Sequence, residues 1–447
     1  MTALDPAWSP YVPDDAAPWD VRRVAHLHRR AGFAASWAEL QRDLKDGPAP
    51  SIERLLGGKA SLHVQGEFAS TGDLLADAAV AANEPGRLKA WWFYRMLFGP
   101  DPLGEKLTLM WHNHFATSVS KVQDLAAMRR QNDTLRRLCK APFAELLNAS
   151  VREPALLAYL DAPANRKGHP NENLGRELME LFTLGVGNYT EADVKEAARC
   201  LTGWTVEDGK FAEVPAKHDD GEKTVLGKTG KWTGGDLLKV LLDSPAAAKR
   251  LTWRLCDTFF GEKAVSAEAM KSLAYGLMEK KLDVGWAVGT ILRSMAFFAD
   301  ANIGTRVKGP AEFIAGAARA LEMFDPAPST LALADWSGRM GQDLFEPPNV
   351  GGWPGGRAWI GGRSMIARSN FVAALVDGAN AGRSRAYDPD ELAKKHDQPT
   401  DANALIAFHC RLLLGGEPTP ALTARLAKGM SRKMVAILLS APEYQLG

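Results

Sequence analysis

This chain predicts a mainly α-helical fold: one large multi-helical domain with one small β-hairpin and one long Gly/Pro/Trp loop. Three observations carry that expectation. Apolar residues recur at three- and four-residue spacing in many segments, capping residues and glycines bracket several of those segments, and few stretches alternate with period two.

Residues 1–19 are rich in Pro and Asp and are expected as an extended N-terminal arm. Helical pattern starts near Val21 and opens a helical core domain over residues 20–382. Arg87 to Phe98, Glu105 to Phe115 and Met128 to Leu138 each carry a helical apolar stripe, and the run Asp161 to Pro170 marks a loop. Asn171 can cap a helix to Leu184, stopped by Gly185 and Gly187. Thr190 with Asp193 is a variant capping box for a helix to Thr202, closed by Gly203. Between Phe211 and Trp232 the pattern breaks into Gly, Lys, Thr and Val, which suits a short hairpin. Helices resume over Gly235 to Leu242, Ala246 to Phe260, Ala267 to Glu279 and Gly285 to Phe298, with another from Pro310. Residues 341–363 form the Gly/Pro/Trp loop, and 383–400 a polar connector. A C-terminal helical segment, 401–447, with helices Ala402 to Leu414 and Ala421 to Leu439, packs on the core.

Composition excludes several function classes. Lys+Arg 54 against Asp+Glu 53 leaves a net charge of +1, so no long-range field attracts nucleic acid or an anionic membrane. The four cysteines, Cys139, Cys200, Cys256 and Cys410, contain no C-x-x-C pair and support neither a zinc knuckle nor a disulfide frame. The stretch MTALDPAWSPYVPDD has no basic n-region, apolar h-region or twin arginine, and no apolar run is long enough to span a membrane. The expected location is cytoplasmic, with export of the folded chain on a partner's signal as the alternative. No pattern names a cofactor or an oligomeric state.

Four stretches carry polar groups worth following. In Met110-Trp111-His112-Asn113-His114-Phe115, helical spacing puts Leu107, Met110, Trp111 and His114 in one buried stripe and turns His112 away from it. Metal chelation by both histidines would need the helix to end between them; a core histidine or one catalytic histidine needs no such break. His26 and His28 form a second pair of the same spacing. In the 171–185 stretch, Leu174, Leu178, Leu181 and Phe182 form the buried stripe, and Glu172, Arg176 and Glu180 follow at four-residue steps as a charge ladder. Glu177 lies at the stripe's edge, where partial desolvation raises a carboxyl pKa and suits acid–base work. A surface ladder with Glu177 paired to an arginine is the structural alternative.

Gly221 to Thr229 resembles a phosphate-binding loop but has five residues between its glycines and no apolar strand before it. His218, with Asp219 and Asp220, can ligate a metal or sit in a solvated turn. In the loop from Phe345 to Ile360, four glycines and three prolines impose special backbone angles. There Asn349, Trp353, Arg357 and Trp359 either line a platform for a sugar or peptide, or fold back to plug the loop onto the core.

Taken together, HLHRRAGF, WHNHFATS, NENLGRELMELFTLGVGNYTEADVKEAARCLTGW, HDDGEKTVLGKTG, the Lys308-Gly309-Pro310-Ala311-Glu312-Phe313 segment and PPNVGGWPGGRAWI resemble the bacterial domain-of-unknown-function 1800 family over roughly residues 20 to 445. The family pattern has leucine where this chain has His28. The resemblance implies no reaction. It implies a neighbouring sulfatase-like secreted protein with a twin-arginine signal, and hence a binding or maturation partnership acting on a surface or exported product.

Two enzyme readings stand beside that partnership. In the first, an acid–base site acts on a carbohydrate or protein, with His114 reaching Glu177 or Glu180, Arg176 keeping one carboxylate ionised, and Trp111, Asn113, Asn171, Glu172 and Asn173 around them. In the second, a metal is held by His112 and His114, with His218 as a further candidate.

Overall fold

Side-chain caps set many helix starts. The structure, a computed structural model, describes residues 4–64, 66–262, 264–378, 381–382, 385–426 and 431–447. The fold is mainly α, with two small antiparallel hairpins among the described residues. Thr190 and Asp193 form the expected capping box of the Glu191–Cys200 helix. Ser266 caps Ala267–Glu279, and Asp401 caps Ala402–Leu414, which Gly415 closes in the left-handed region at φ 78°.

Where structure and sequence reading part, local chemistry explains the difference. Two hairpins replace the one expected over 211–232. Strand β1 (Trp204–Glu207) pairs with β2 (Lys210–Glu213), and β3 (Lys223–Val225) pairs with β4 (Lys228–Gly230). Asp208-Gly209, with φ of 48° and 67°, makes a two-residue turn whose twist matches its strands. The Gly285 to Phe298 helix is interrupted at Ser294, whose extended backbone lets its hydroxyl accept from Phe297 N–H. The polar connector holds a helix, Pro389–Lys395, because Asp388 caps it and Pro389 fits its first turn; Arg383 and Ser384 of that connector lie outside the described residues. The helix expected over 421–439 is found as Pro420–Leu426 and Ser431–Ser440, with 427–430 outside the described residues.

Met1 to Ala3 of the arm also lie outside the described residues. The rest runs extended apart from a bend over 15–17 and a turn at Pro6–Trp8, where Trp8 is buried and its indole N–H donates to Ala269 O at 2.8 Å. Tyr11 N–H then bonds Arg293 O at 2.8 Å.

The apolar interior forms two clusters. One gathers Trp91, Trp92, Phe313, Phe371 and the C-terminal helices; the other gathers Trp8, Trp111, Phe143, Leu178, Leu255 and Phe259. The Pro102–His114 helix passes between them, with Leu109 in the first and Leu107, Met110 and Trp111 in the second. Twelve of its thirteen residues are buried, Asn113 being the exception.

That burial corrects the expectation for His112. The two histidines do point to different sides, but the helix has no solvent face, so both are buried. Its charged residues are satisfied internally. Burial pushes the Glu105 carboxyl up, but Arg136 and Arg95 outweigh it and hold it below its ordinary value.

Candidate functional site

The polar residues of WHNHF each go to a different place. Trp111 Nε1–H donates to Cys139 O at 2.9 Å. His112 sits in an aromatic box of Trp92, Phe345 and Trp353, with neither ring nitrogen partnered, and burial pushes its pKa down to about 3. Asn113 holds the Gly/Pro/Trp loop: its Oδ1 accepts from Trp353 N–H at 2.6 Å, and its Nδ2 reaches Trp353 O at 3.5 Å. Gly352 stands at φ 88°, and a Cβ there would run into Asn113. His114 Nε2 lies 3.0 Å from Phe182 O. A carbonyl can only accept, so the imidazole carries its proton on Nε2, and its Nδ1 is buried without a partner.

The expected His114 contact with Glu177 or Glu180 is absent from this geometry. The reason lies in how its helix partner ends. After Asn173–Glu177 the chain continues as a π-helical stretch, Leu178–Thr183. At that end the last carbonyls have no intrahelical partner. Phe182 O receives His114, and Leu181 O receives Arg250 Nε–H at 3.2 Å. Glu180 instead accepts from Tyr189 Oη–H at 2.7 Å. Glu177 is half-buried, and burial together with Glu180 raises its pKa as expected. Arg176 pairs with Glu172 and Glu191 at the surface. Asn171 Oδ1 accepts from Asn173 N–H, and Asn173 Nδ2 donates to Asp161.

The metal readings find no constellation. His112 and His114 contact different clusters and cannot chelate together, and among the described residues no three His, Cys, Asp or Glu converge as metal ligands. His218 Nδ1–H donates to Thr202 O at 2.9 Å, while Asp219 and Asp220 pair with Arg199 and Lys167. His28 Nε2 reaches Asp43 at 2.6 Å, and His26 Nε2 reaches Phe297 O at 2.9 Å.

The loop is fastened to the same helix end at several points. Val119 N–H donates to Phe345 O at 2.9 Å, Ser120 grips Glu346, and Asn113 holds Trp353. Asn349 Oδ1 accepts from Gly351 N–H at 2.9 Å and shapes the turn before Trp353. Trp353 and Trp359 are only 4% and 6% exposed, so they plug the loop onto the core rather than present an open platform. Arg357 stays exposed.

Under this loop lies a cleft of two adjoining lobes, about 470 and 520 Å³. Asn113, Arg254, Asp257, Glu262 and Trp353 line both lobes. Its far wall is the Pro245–Phe259 helix, which buries Ala248, Leu251, Leu255 and Phe259 and turns Arg250, Trp253, Arg254 and Asp257 toward the opening. Lys106, Arg306 and Glu312 form the floor of the first lobe. There Glu312 is bonded by both Lys106 and Arg306. Burial pushes the Glu312 carboxyl up, but the two cations outweigh it and keep it ionised far below the usual range. Burial pushes the Lys106 ammonium down to about 8.

On the far wall, two ionisable groups are left without a partner. Asp257 makes no side-chain hydrogen bond or ion pair among the described residues, and burial raises its pKa against the opposing pull of Arg254 and Arg306. The Arg254 side chain likewise makes no hydrogen bond or ion pair among the described residues; its Nε is buried without a partner, and burial with the nearby Arg250 pushes its pKa down to about 10. Of the cleft's lining, the sequence pointed to Asn113, Trp353, Arg357 and Trp359, and to Glu312 within KGPAEF, but not to Lys106, Arg254, Asp257 or Arg306. The available signal was the spacing of Arg250, Trp253, Arg254 and Asp257 at i, i+3, i+4 and i+7.

No helix among the described residues is long and apolar enough to cross a membrane. Neither a curated protein nor a solved structure matches the chain. A family profile does, over residues 26–446, nearly the whole length, and the chain therefore belongs to the family described as "Protein of unknown function (DUF1800)".

Proposed function

We propose that the protein is an enzyme that binds a small or oligomeric substrate in the cleft beneath the Gly/Pro/Trp loop, with Asp257 as its proton donor and acceptor. The observation that carries this is the unpaired, desolvated Asp257 carboxyl in a cleft of substrate size, beside a carboxylate in a contrasting state. A carboxyl whose pKa burial raises above its ordinary value is a better proton donor and acceptor for a bound substrate, while Glu312, held by Lys106 and Arg306, stays a fixed charge. The acid–base pair drawn on His114, Glu177 and Glu180 gives way to Asp257, because His114 is turned onto a backbone carbonyl.

The test is turnover of 4-nitrophenyl glycosides, acetate, phosphate and sulfate between pH 4 and 9 by wild type and Asp257→Asn. Turnover with an acidic or neutral limb that disappears in the variant is the expected result. Equal rates and equal pH profiles in the two proteins would sink the assignment of Asp257.

A binding or maturation partnership with a sulfatase-like secreted protein is the second reading. It is favoured by Ile360 and Ile366, 42% and 66% exposed beside Arg357 on one loop-and-helix segment. Co-expression with that neighbour and gel filtration tests it: a complex that Ile366→Asp leaves intact argues against this surface.

A further inference from the structure

The Pro245–Phe259 helix carries two arginines one turn apart, Arg250 and Arg254, and both line the second lobe of the cleft. Neither forms an ion pair among the described residues. Arg250 uses its Nε on Leu181 O, and Arg254 uses nothing. Both pack on Trp253, 40% exposed, with the Arg250 guanidinium carbon 4.6 Å and the Arg254 guanidinium carbon 5.2 Å from its ring centroid. Stacking on an indole orients a guanidinium without neutralising it and leaves its N–H fork free for another partner.

The surrounding carboxylates do not supply that partner. Asp257, one turn beyond Arg254, makes no ion pair, and Glu180, the other acidic neighbour of Arg250, is bonded to Tyr189. The Arg250 charge acts against that of Arg254, and both residues line a cavity of about 520 Å³. An incoming oxyanion would relieve the repulsion and accept from both forks, the geometry in which arginine binds phosphate and carboxylate.

We propose that Arg250 and Arg254 form an oxyanion-binding subsite, which makes the ligand of the cleft a molecule bearing a phosphate, sulfate or carboxylate group. The proposal rests on the cleft being the ligand site but not on Asp257 chemistry. Placed next to Asp257, the subsite would anchor the charged end of the ligand and bring the adjoining bond to that carboxyl. Trp253 acts as a positioning residue for both guanidinium groups.

The experiment is calorimetric titration of the whole chain with inorganic phosphate, sulfate and acetate, at ionic strength held constant with sodium chloride. Wild type, Arg254→Gln, Arg254→Lys, Arg250→Gln and Asp257→Asn are compared. The expected result is saturable binding of at least one of the three anions to wild type, weakened tenfold or more in Arg254→Gln and Arg250→Gln. Arg254→Lys should recover part of it, because a point charge replaces a fork, and Asp257→Asn should bind as well as wild type or better. If Arg254→Gln does not fold, Arg250→Gln gives the same reading. Absence of saturable binding in wild type, or binding in both glutamine variants as tight as in wild type, overturns the subsite. Anion binding in wild type with no turnover, or with turnover that Asp257→Asn leaves unchanged, would instead count against the enzymatic reading alone.

Discussion

Asn113→Ala should loosen the Gly/Pro/Trp loop without unfolding the protein. The wild-type amide Oδ1 accepts from Trp353 N–H at 2.6 Å, a short bond, whereas the Nδ2 contact to Trp353 O at 3.5 Å is too long to add much. Truncation leaves the Trp353 N–H without its acceptor, at a cost of about 1–3 kcal/mol. Spread over 447 residues, with an unfolding entropy of about 2.1 cal/mol/K per residue, that cost moves Tm by only about 1–3 °C. A local probe is therefore the right assay. In native-state hydrogen exchange the same cost raises the opening population at Trp353 by roughly 5- to 150-fold, while amides buried within the Pro102–His114 helix stay as protected as before. Asn113→Asp keeps the acceptor and loses only the long contact, so its exchange should remain within a few-fold of wild type. Unchanged protection of the Trp353 amide in Asn113→Ala, or equal loss in the alanine and aspartate variants, would refute the clamp.

The buried histidines and the Lys106–Glu312–Arg306 cluster make two further expectations. Burial pushes His112 down to about 3, so below an unfolded pKa of about 6.5 the unfolded chain takes up a proton that the folded chain refuses. The stability this histidine allows is complete above that pH and falls below it by about 1.4 kcal/mol per unit; between pH 6.5 and 5, His112→Leu should lose about 2 kcal/mol less than wild type in urea unfolding, and equal pH slopes would contradict it. Glu312→Gln strands both Lys106 and Arg306 and should cost about 3–5 kcal/mol, whereas Lys106→Met leaves Glu312 paired with Arg306 and should cost less; the reverse order in denaturant midpoints would show that Arg306 is not the main counterion.

Helix positions were legible wherever a side-chain cap and a glycine bracketed an apolar stripe. Ala267–Glu279 and Ala402–Leu414 stand where the sequence puts them because Ser266 and Asp401 satisfy the first N–H groups. Strand β1 was not, since Trp204 follows directly on Gly203, which reads as a helix stop and gives no sign that a strand begins there. The π-helical stretch was invisible for another reason. Its apolar stripe fits an ordinary helix equally well, and what distinguishes it is the pair of carbonyls taken by His114 and Arg250, side chains far away in sequence.

The site was half legible, and the division follows from what polar groups do in a buried frame. Three motif-bearing stretches meet at the end of the Pro102–His114 helix. They meet through backbone: Asn113 on Trp353 N–H, His114 on Phe182 O, Ser120 on Glu346. The Asn113 amide oxygen, the His114 Nε2 proton and Glu346 are thereby committed to the loop and to the π-helical turn. Arg254 and Asp257, left without hydrogen bond or ion pair among the described residues, belong to RLTWRLCD, which has no motif. A polar stripe at i, i+3, i+4 and i+7 looks from sequence like one more solvated helix face. It becomes a cleft wall only because Gly352 and Gly356, at φ 88° and 55°, fold the loop across it, with Asn113 pinning Trp353 and the Glu262 side chain packed against Gly356. In this fold the distinctive sequence builds the frame, and the chemistry sits on the plain helix that the frame encloses.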